Sequence, residues 1–308
     1  MNAKRATITW AALSCCAQLV LAQPDNPSEG TQGPLDHALT ALHEAYVFGA
    51  HQPTLIGKCG EAFDQALASI ASPADQPLAG RPMVAEGPSI DTKLRAIAAH
   101  RRAQPELYTE IERIYILGVD NPRRRAPRSP RVATHHATEP YRLAWEYFLL
   151  RPPPHNASSY HDHRISQTLI KIGNPSSLLT LCHAYRVTTE EGIRMTRRLE
   201  NRQRLLLATI GQFPTRAGLD GMADCLAWSS KQAQRGQRSQ RRPGQFTPPW
   251  DPKAFALRLL TDQENYGTRA AWQRTLTSYP PTQHSPSTSN VLQKALNAYR
   301  EADTPTIK

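Results

Sequence analysis

Cysteine is scarce in this chain of 308 residues, and its spacing excludes several kinds of site. Five cysteines are present, of which only Cys59, Cys182 and Cys225 follow the first 22 residues. An odd number does not make a complete disulfide framework, and the lack of a C-x-x-C pair excludes a thioredoxin-like site and a zinc ribbon. Because neighbouring helices lie roughly 8–10 Å apart, a Cys182–Cys225 bridge requires both side chains to face inward. We therefore expect three free thiols.

Long apolar runs are also absent, and nothing beyond the N-terminus is long enough to span a bilayer. The first 22 residues resemble a secretory signal peptide, because a basic start at Lys4 and Arg5 precedes an uncharged stretch that ends in Ala22. A buried N-terminal helix and a lipid anchor at Cys15 or Cys16 are the alternatives. The pattern predicts an exported protein, periplasmic or secreted, that does not span the membrane.

Catalytic motifs are missing as well. The chain has no G-x-S-x-G turn, no H-E-x-x-H motif, and no S-x-x-K with a suitable set of partners. Gly57-Lys58 resembles part of a phosphate-binding loop, but Gln52 stands where that loop needs its first glycine and Cys59 replaces its Ser or Thr. The sequence therefore nominates no catalytic residue, no cofactor and no small-molecule substrate, and it favours a protein that is not an enzyme.

Histidines supply one alternative with chemistry. His155, His161 and His163 fall within nine residues, and His161-Asp162-His163 offers two imidazoles and a carboxylate to a metal ion. A metal-assisted hydrolase is therefore the second alternative function. On a helix, however, side chains two positions apart point about 200° away from each other. Asp162 also suits the N-cap of a helix that begins near Ile165. For these reasons we assign no metal ligands.

The alternating pattern of β-strands is absent, whereas apolar residues recur every three or four positions along most of the chain. Leu35, Leu39, Leu42 and Tyr46 show this helical spacing near the start. The sequence predicts an all-α fold, either a stack of helical hairpins or an irregular helical bundle. By composition we divide it into a signal peptide (1–22), a flexible leader (23–34), an N-terminal helical region (35–120), an Arg/Pro-rich loop (121–134), a second helical region (135–231), an Arg/Gln/Pro-rich linker (232–250) and a C-terminal helical region (251–308).

Helix ends carry local signals. Ser89 or Asp91 suits the N-cap of one helix, and Asp251 suits another, with Pro252 in the first turn. The three prolines at 152–154 must end the aromatic helix that precedes them. These positions predict three helix boundaries.

One turn motif occurs twice in the second helical region. Residues 168–175 (TLIKIGNP) and 207–214 (LATIGQFP) both end a helix in Ile-Gly and reach a proline, and Gly173 and Gly211 are 38 residues apart. Over about residues 165–228 the chain resembles the HEAT repeat, whose bacterial versions often carry Leu-x-x-Ile-Gly-x-Pro between paired helices. The resemblance implies stacked helix pairs and an interaction surface. In such a turn, glycine closes the first helix in a left-handed conformation and proline fixes the start of the next.

Positive charge is unevenly distributed. The net charge is +11, and nine arginines lie in two short segments: Arg123, Arg124, Arg125, Arg128, Arg131, Arg235, Arg238, Arg241 and Arg242. Arginine binds phosphate and carboxylate groups in pairs of hydrogen bonds, so these segments suit a polyanion. We expect an exported helical scaffold that binds another protein without catalysis. Binding of an anionic cell-envelope polymer through the Arg-rich segments is the first alternative.

Overall fold

Helices form all the regular structure of the described residues, which confirms the all-α prediction. The computed structural model describes residue 40 and residues 53–70, 89–117, 134–152, 161–189, 197–236, 250–261, 266–279 and 286–303. These ranges contain eleven α-helices and no strand: α1 Pro53–Ser69, α2 Ile90–Ala103, α3 Pro105–Ile111, α4 Arg142–Leu150, α5 His161–Ile172, α6 Ser177–Val187, α7 Arg197–Ile210, α8 Arg216–Gly236, α9 Pro252–Thr261, α10 Tyr266–Ser278 and α11 Pro286–Asp303. A π-helix, Glu112–Ile116, continues α3, and 3-10 helices Thr134–His136 and Glu139–Tyr141 precede α4.

Helix α4 lies at the centre of the N-terminal half. Its last seven residues, from Ala144 to Leu150, are all buried, and they include Trp145 and Phe148. A helix that is buried around its whole circumference must be covered on every side. Helices α2, α3, α5 and α6 all pack against it. The aromatic helix before the three prolines therefore lies in the middle of the core.

The predicted helix boundaries are confirmed. The Ser89 hydroxyl accepts a hydrogen bond from the backbone N–H of Thr92 at 3.2 Å, and α2 begins at the following residue, Ile90. The Asp251 carboxylate accepts a hydrogen bond from the backbone N–H of Lys253 at 2.9 Å, and α9 begins one residue after Asp251. Helix α4 ends at Leu150, before the three prolines. Each boundary follows from a side-chain cap or from a proline that cannot continue a helix.

Two helix pairs follow α4 in the chain, α5 with α6 and α7 with α8. The first helices of the pairs, α5 and α7, pack against each other, and so do the second helices, α6 and α8. Helix α6 also packs against α7, which brings the pairs side by side. The C-terminal helices α9 and α11 pack on α8 and, for α9, on α7 as well. The two helices of the first pair, α5 and α6, make few contacts with each other. The HEAT resemblance, which implies stacked helix pairs, stays a prediction.

The two similar turns have different backbones. Gly173 has a φ of +69°, so it ends α5 in the left-handed conformation that was predicted. The same prediction for Gly211 is wrong, because Gly173 is the only described glycine with a positive φ. The backbone N–H of Gly211 bonds the carbonyl of Leu207 at 3.0 Å, and the N–H of Phe213 bonds the carbonyl of Ile210 at 3.0 Å. One extra residue before the proline, the buried Phe213, lets the helix end in a right-handed turn.

Several predicted segments lie outside the described residues. These are the signal peptide (1–22), the leader (23–34), residues 121–133 of the Arg/Pro-rich loop, and residues 237–249 of the linker. Helix α8 continues to Gly236, so the linker predicted from residue 232 begins later than its composition indicated. Among the described helices, none is long and apolar enough to cross a membrane.

Candidate functional site

A fully buried carboxylate, Glu146 on α4, joins three helices. It accepts hydrogen bonds from Arg142 at 2.7 Å, Ser177 at 2.8 Å and Thr180 at 3.1 Å, and the Lys93 ammonium lies 2.9 Å from its second oxygen. A buried charge is tolerated only when partners of opposite charge and hydrogen bonds satisfy it. This Glu146 cluster is saturated in that way, and it fastens α2 and α6 to α4.

A second carboxylate, Asp64 on α1, has a similar role. It accepts hydrogen bonds from the Tyr147 hydroxyl at 2.5 Å and from Arg101 at 3.1 Å, and Nη2 of Arg151 lies 3.0 Å from its other oxygen. Arg151 also donates to Glu112 of the π-helix at 2.7 Å. Burial and the Asp64 charge raise the pKa of Tyr147. Its hydroxyl therefore stays protonated and donates a hydrogen bond to Asp64. The Asp64 cluster therefore ties α1, α2 and the π-helix to the end of α4.

The third carboxylate, Asp162, belongs to the sequence His161-Asp162-His163 that suggested a metal site. Burial alone would raise the pKa of Asp162, but the Arg202 guanidinium of α7 and the neighbouring His161 hold it well below its usual range. Arg202 donates to Asp162 and also to the backbone carbonyl of Leu149 at 2.7 Å. The carboxylate is thus engaged by a guanidinium that links α5 to α7 and to the end of α4.

The histidines of that sequence do not converge. His161 is buried and His163 is exposed, because side chains two positions apart on a helix point in nearly opposite directions. Helix α5 begins at His161, so Asp162 lies inside the helix and is not its N-cap. His155 lies outside the described residues. Across the described part of the chain, no three His, Cys, Asp or Glu side chains are grouped so that they could hold a metal ion.

A chain of three titratable groups, which sequence reasoning missed, lies beside the π-helix. Glu110 is 3.4 Å from Nε2 of His136, and Nδ1 of His136 hydrogen-bonds the Tyr115 hydroxyl at 2.8 Å. The carbonyl of His136 accepts from the Trp145 indole at 2.8 Å, and Arg164 donates to the carbonyl of Tyr115. π-Helices often occur at functional sites, so this geometry merits a chemical test. The adjacent His135-His136 pair was the available sequence signal.

Two of the three groups in this chain, the imidazole of His136 and the phenol of Tyr115, are covered by the protein. His136 is 4% exposed and Tyr115 is 3% exposed, and only the Glu110 carboxylate lies at the surface. Burial lowers the pKa of His136, and His135 lowers it further, whereas Glu110 raises it. A neutral imidazole buried between a carboxylate and a phenol is suited to hold the π-helix against the Thr134–His136 turn. The arrangement therefore orders the fold and offers no open reaction site.

Arginines stacked on aromatic rings form the most distinctive feature of the described surface. Arg204 lies 4.6 Å from the centre of the Trp250 ring, Arg216 lies 5.0 Å from that of Tyr279, and Arg186 lies 5.8 Å from that of Trp228; all three arginines are exposed, and all three rings are half-buried. At these distances a guanidinium is attracted to the face of a ring. We call these six residues the Arg–aromatic pairs. Exposed Arg, Trp and Tyr are the residue types enriched at protein interfaces.

Comparison with protein-family models, with curated proteins and with solved structures finds no match to this chain. The function is therefore inferred from the chemistry of the surfaces and clusters described above.

Proposed function

We propose that this chain is an exported helical scaffold that binds another protein and has no catalytic activity of its own. The observation that carries the proposal is the set of three Arg–aromatic pairs on the C-terminal half. Rings held in place by arginines lose little conformational freedom on binding, and their residue types dominate the energy of many interfaces. The N-terminal sequence supports export, because it has the charge and length of a signal peptide.

The three carboxylates that join helices support the non-catalytic part of the proposal. Glu146, Asp64 and Asp162 each accept hydrogen bonds from cationic side chains, several of them on neighbouring helices. Carboxylates that act as general acids or bases need access to a substrate and a pKa near the working pH. These three carboxylates instead hold helices together, and the pKa of Asp162 is lowered, away from a working pH near neutrality. Their chemistry suits a rigid support for a binding surface.

Cross-linking of the full chain in an envelope extract tests this proposal. We expect one or more proteins to be captured saturably, with excess unlabelled chain as competitor. Replacement of Arg186, Arg204 and Arg216 by Ser should remove that capture. The matched control replaces Arg95, Arg258 and Arg274 by Ser, three exposed helical arginines that carry the same charge, and should leave it intact. The absence of any saturable capture, or an equal loss in both variants, would contradict the proposal.

Binding of an anionic polymer is the second candidate, and the charge distribution favours it. Acidic side chains on the described helices are largely paired with cations, as Glu139 is with Arg142 and Glu200 with Arg204. The excess of +11 therefore falls mainly on the nine arginines of the two Arg-rich segments, most of which lie outside the described residues. Guanidinium groups that follow one another closely along a chain suit repeated phosphates or carboxylates.

Retention on immobilised heparin at increasing salt separates this candidate from simple net charge. The variant Arg123→Ser, Arg124→Ser, Arg125→Ser should elute at clearly lower salt than the control with Arg95, Arg258 and Arg274 replaced by Ser. Removing one arginine that pairs with an anionic group of the polymer lowers the salt dependence by roughly one ion, so a difference of about three is the largest expected. Equal elution of the two variants would show that only total charge matters, and the candidate would fail.

A further inference from the structure

Two buried cysteines meet between α6 and α8. Cys182 on α6 is 8% exposed and Cys225 on α8 is fully buried, and their thiols are within hydrogen-bonding reach of each other. From the sequence, a bridge between them required both side chains to face inward. The three described cysteines are unbridged in the structure, as expected from the sequence. The inward-facing arrangement of Cys182 and Cys225 is nevertheless present, so the geometric objection to a bridge between them no longer holds.

A glycine one helical turn before Cys225 creates the space for this contact. A Cβ atom placed on Gly221 would lie only 2.6 Å from Sγ of Cys182, which is closer than real side chains approach. The sulfur therefore occupies the place where any other residue would put its side chain, directly against the backbone of α8. Because positions four apart share a helix face, Cys225 presents its thiol on the same side as Gly221. Cys59, on α1, belongs to another part of the fold.

We propose that Cys182 and Cys225 form a disulfide when the chain folds in the presence of a disulfide oxidant. In the first step, the thiolate of one cysteine attacks a small-molecule disulfide such as oxidised glutathione and releases one glutathione thiol. In the second step, the other cysteine thiolate attacks the protein sulfur of the mixed disulfide and releases the second glutathione. Two cysteine thiols are oxidised, one glutathione disulfide is reduced to two thiols, and proton transfer balances the exchange.

Because both sulfurs are covered in the folded chain, we expect the disulfide to form during folding and not after it. Burial raises the pKa of the Cys225 thiol, and the neighbouring Cys182 raises it further, so the folded reduced protein contains little of the reactive thiolate. An oxidant also has little access to sulfurs that are nine-tenths or more covered. In an exported protein the oxidant is met while the chain is still folding. The proposal goes beyond the binding function and is independent of the partner.

Refolding of the full chain in glutathione buffer tests the proposal directly. The oxidised product should show one titratable thiol among Cys59, Cys182 and Cys225 when it is unfolded in denaturant, and peptide mapping should find the 182–225 linkage. Refolding with reductant should leave all three thiols. Three thiols after oxidative refolding, or bridges that join Cys59 to either partner as often as the two partners are joined, would overturn the proposal.

Two variants serve as matched controls. Cys59→Ser should keep the 182–225 linkage and leave none of the three positions as a free thiol, whereas Cys182→Ser should leave Cys59 and Cys225 both titratable. The melting temperature should rise by roughly 5–10 °C on oxidation of the Cys59→Ser variant, because the bridge closes a loop of about 40 residues. Cys182→Ser should show no such rise. An unchanged melting temperature in Cys59→Ser with the linkage formed would show that the bridge strains the helices and contradict the fit inferred here.

Discussion

Two turns with similar sequences are held in different ways. The turn at Gly173 is exposed. It is held by Lys93, which donates a hydrogen bond to the carbonyl of Ser176 at 3.1 Å and forms an ion pair with Glu146. In the turn at Gly211, Gly211 and Phe213 are buried and Gln212 is exposed, and α10 packs on its carbonyl groups. There Trp272 donates to the carbonyl of Gly211 at 2.8 Å, and Thr275 donates to the carbonyl of Pro214 at 2.9 Å.

The difference shows what such a motif decides. Ile-Gly followed by proline ends one helix and is followed by the start of the next at both places. It does not decide what covers the turn or whether glycine is left-handed, since those depend on the neighbouring elements. The first turn is bound through Lys93 to the buried Glu146 cluster, and the second accepts hydrogen bonds from α10. The same local signal therefore serves two structural roles.

The largest effect is expected at the support of the first turn. Glu146→Ala removes the carboxylate and leaves Lys93 and Arg142 without their buried partner, so the free energy of unfolding should fall by about 4 kcal/mol. Urea unfolding followed by circular dichroism measures this change. Glu200→Ala, which breaks a more exposed pair with Arg204, should cost less than about 1 kcal/mol. Equal effects would show that the Glu146 cluster does not support the fold.

Gly218 is the corresponding test at the second turn. A Cβ atom there would lie 2.0 Å from the carbonyl oxygen of Phe213, so Gly218→Ala must push the turn away from α8. We expect a loss of about 3 kcal/mol in the free energy of unfolding, because backbone atoms have little room to yield. Ala217→Ser, at the exposed neighbouring position, should change it by less than about 0.5 kcal/mol. A tolerated alanine at Gly218 would contradict the packing of this turn.

Helix α6, which follows the first turn, should also make the first pair sensitive to acid. Burial lowers the pKa of His183 to about 4, and Arg186 adds to this, while Nε2 is buried without a hydrogen-bond partner in the structure as described. Between pH 6.5 and about 4, His183 is therefore protonated in the unfolded chain but neutral in the folded chain. Stability is full above pH 6.5 and falls by up to about 3 kcal/mol as the pH drops to 4.

His183→Gln checks the origin of that loss. The variant should flatten the dependence of unfolding free energy on pH between 6.5 and 4, relative to the unchanged chain. His163→Gln is the control, since His163 is exposed and should leave the slope as it is. An unaltered slope in the His183 variant would assign the acid sensitivity to other groups, such as His100 and His136, whose pKa values are also lowered by burial.

Trp272 tests whether α10 is seated on the second turn. Trp272→Phe removes the indole N–H that reaches the carbonyl of Gly211 and leaves a small void in the core, so we expect a loss of about 2 kcal/mol. Amide hydrogen exchange should then show earlier opening of α10 and α11 than of α5 and α6. Trp228→Phe, at a half-buried position, is the control and should cost less than about 1 kcal/mol. Equal opening of all helices would contradict a specific role of Trp272 in holding α10 on the second turn.

Much of the fold could be predicted because its signals are local. Apolar spacing gave the helices, and Ser89, Asp251 and the prolines at 152–154 gave three boundaries, since caps and breakers act within one turn. The Glu146 and Asp64 clusters could not be predicted, because most partners of these two carboxylates lie more than 30 residues away in sequence, as Ser177 does from Glu146. The contact of Cys182 with Cys225 depended on Gly221, whose missing side chain has no meaning until α6 is packed on α8.

The unfolding free energies of Gly173→Ala and Gly211→Ala, measured side by side, test the comparison of the two turns most directly. Alanine at Gly173 must adopt a φ near +69°, so a loss of about 1 kcal/mol or more is expected. Gly211 does not have a positive φ, and a Cβ atom there would lie 3.3 Å from the carbonyl oxygen of Ala208, a tight contact that a shift of a few tenths of an ångström relieves, so alanine at Gly211 should cost clearly less than alanine at Gly173. Equal losses at both positions would contradict the account, because they would mean that the two turns share one conformation.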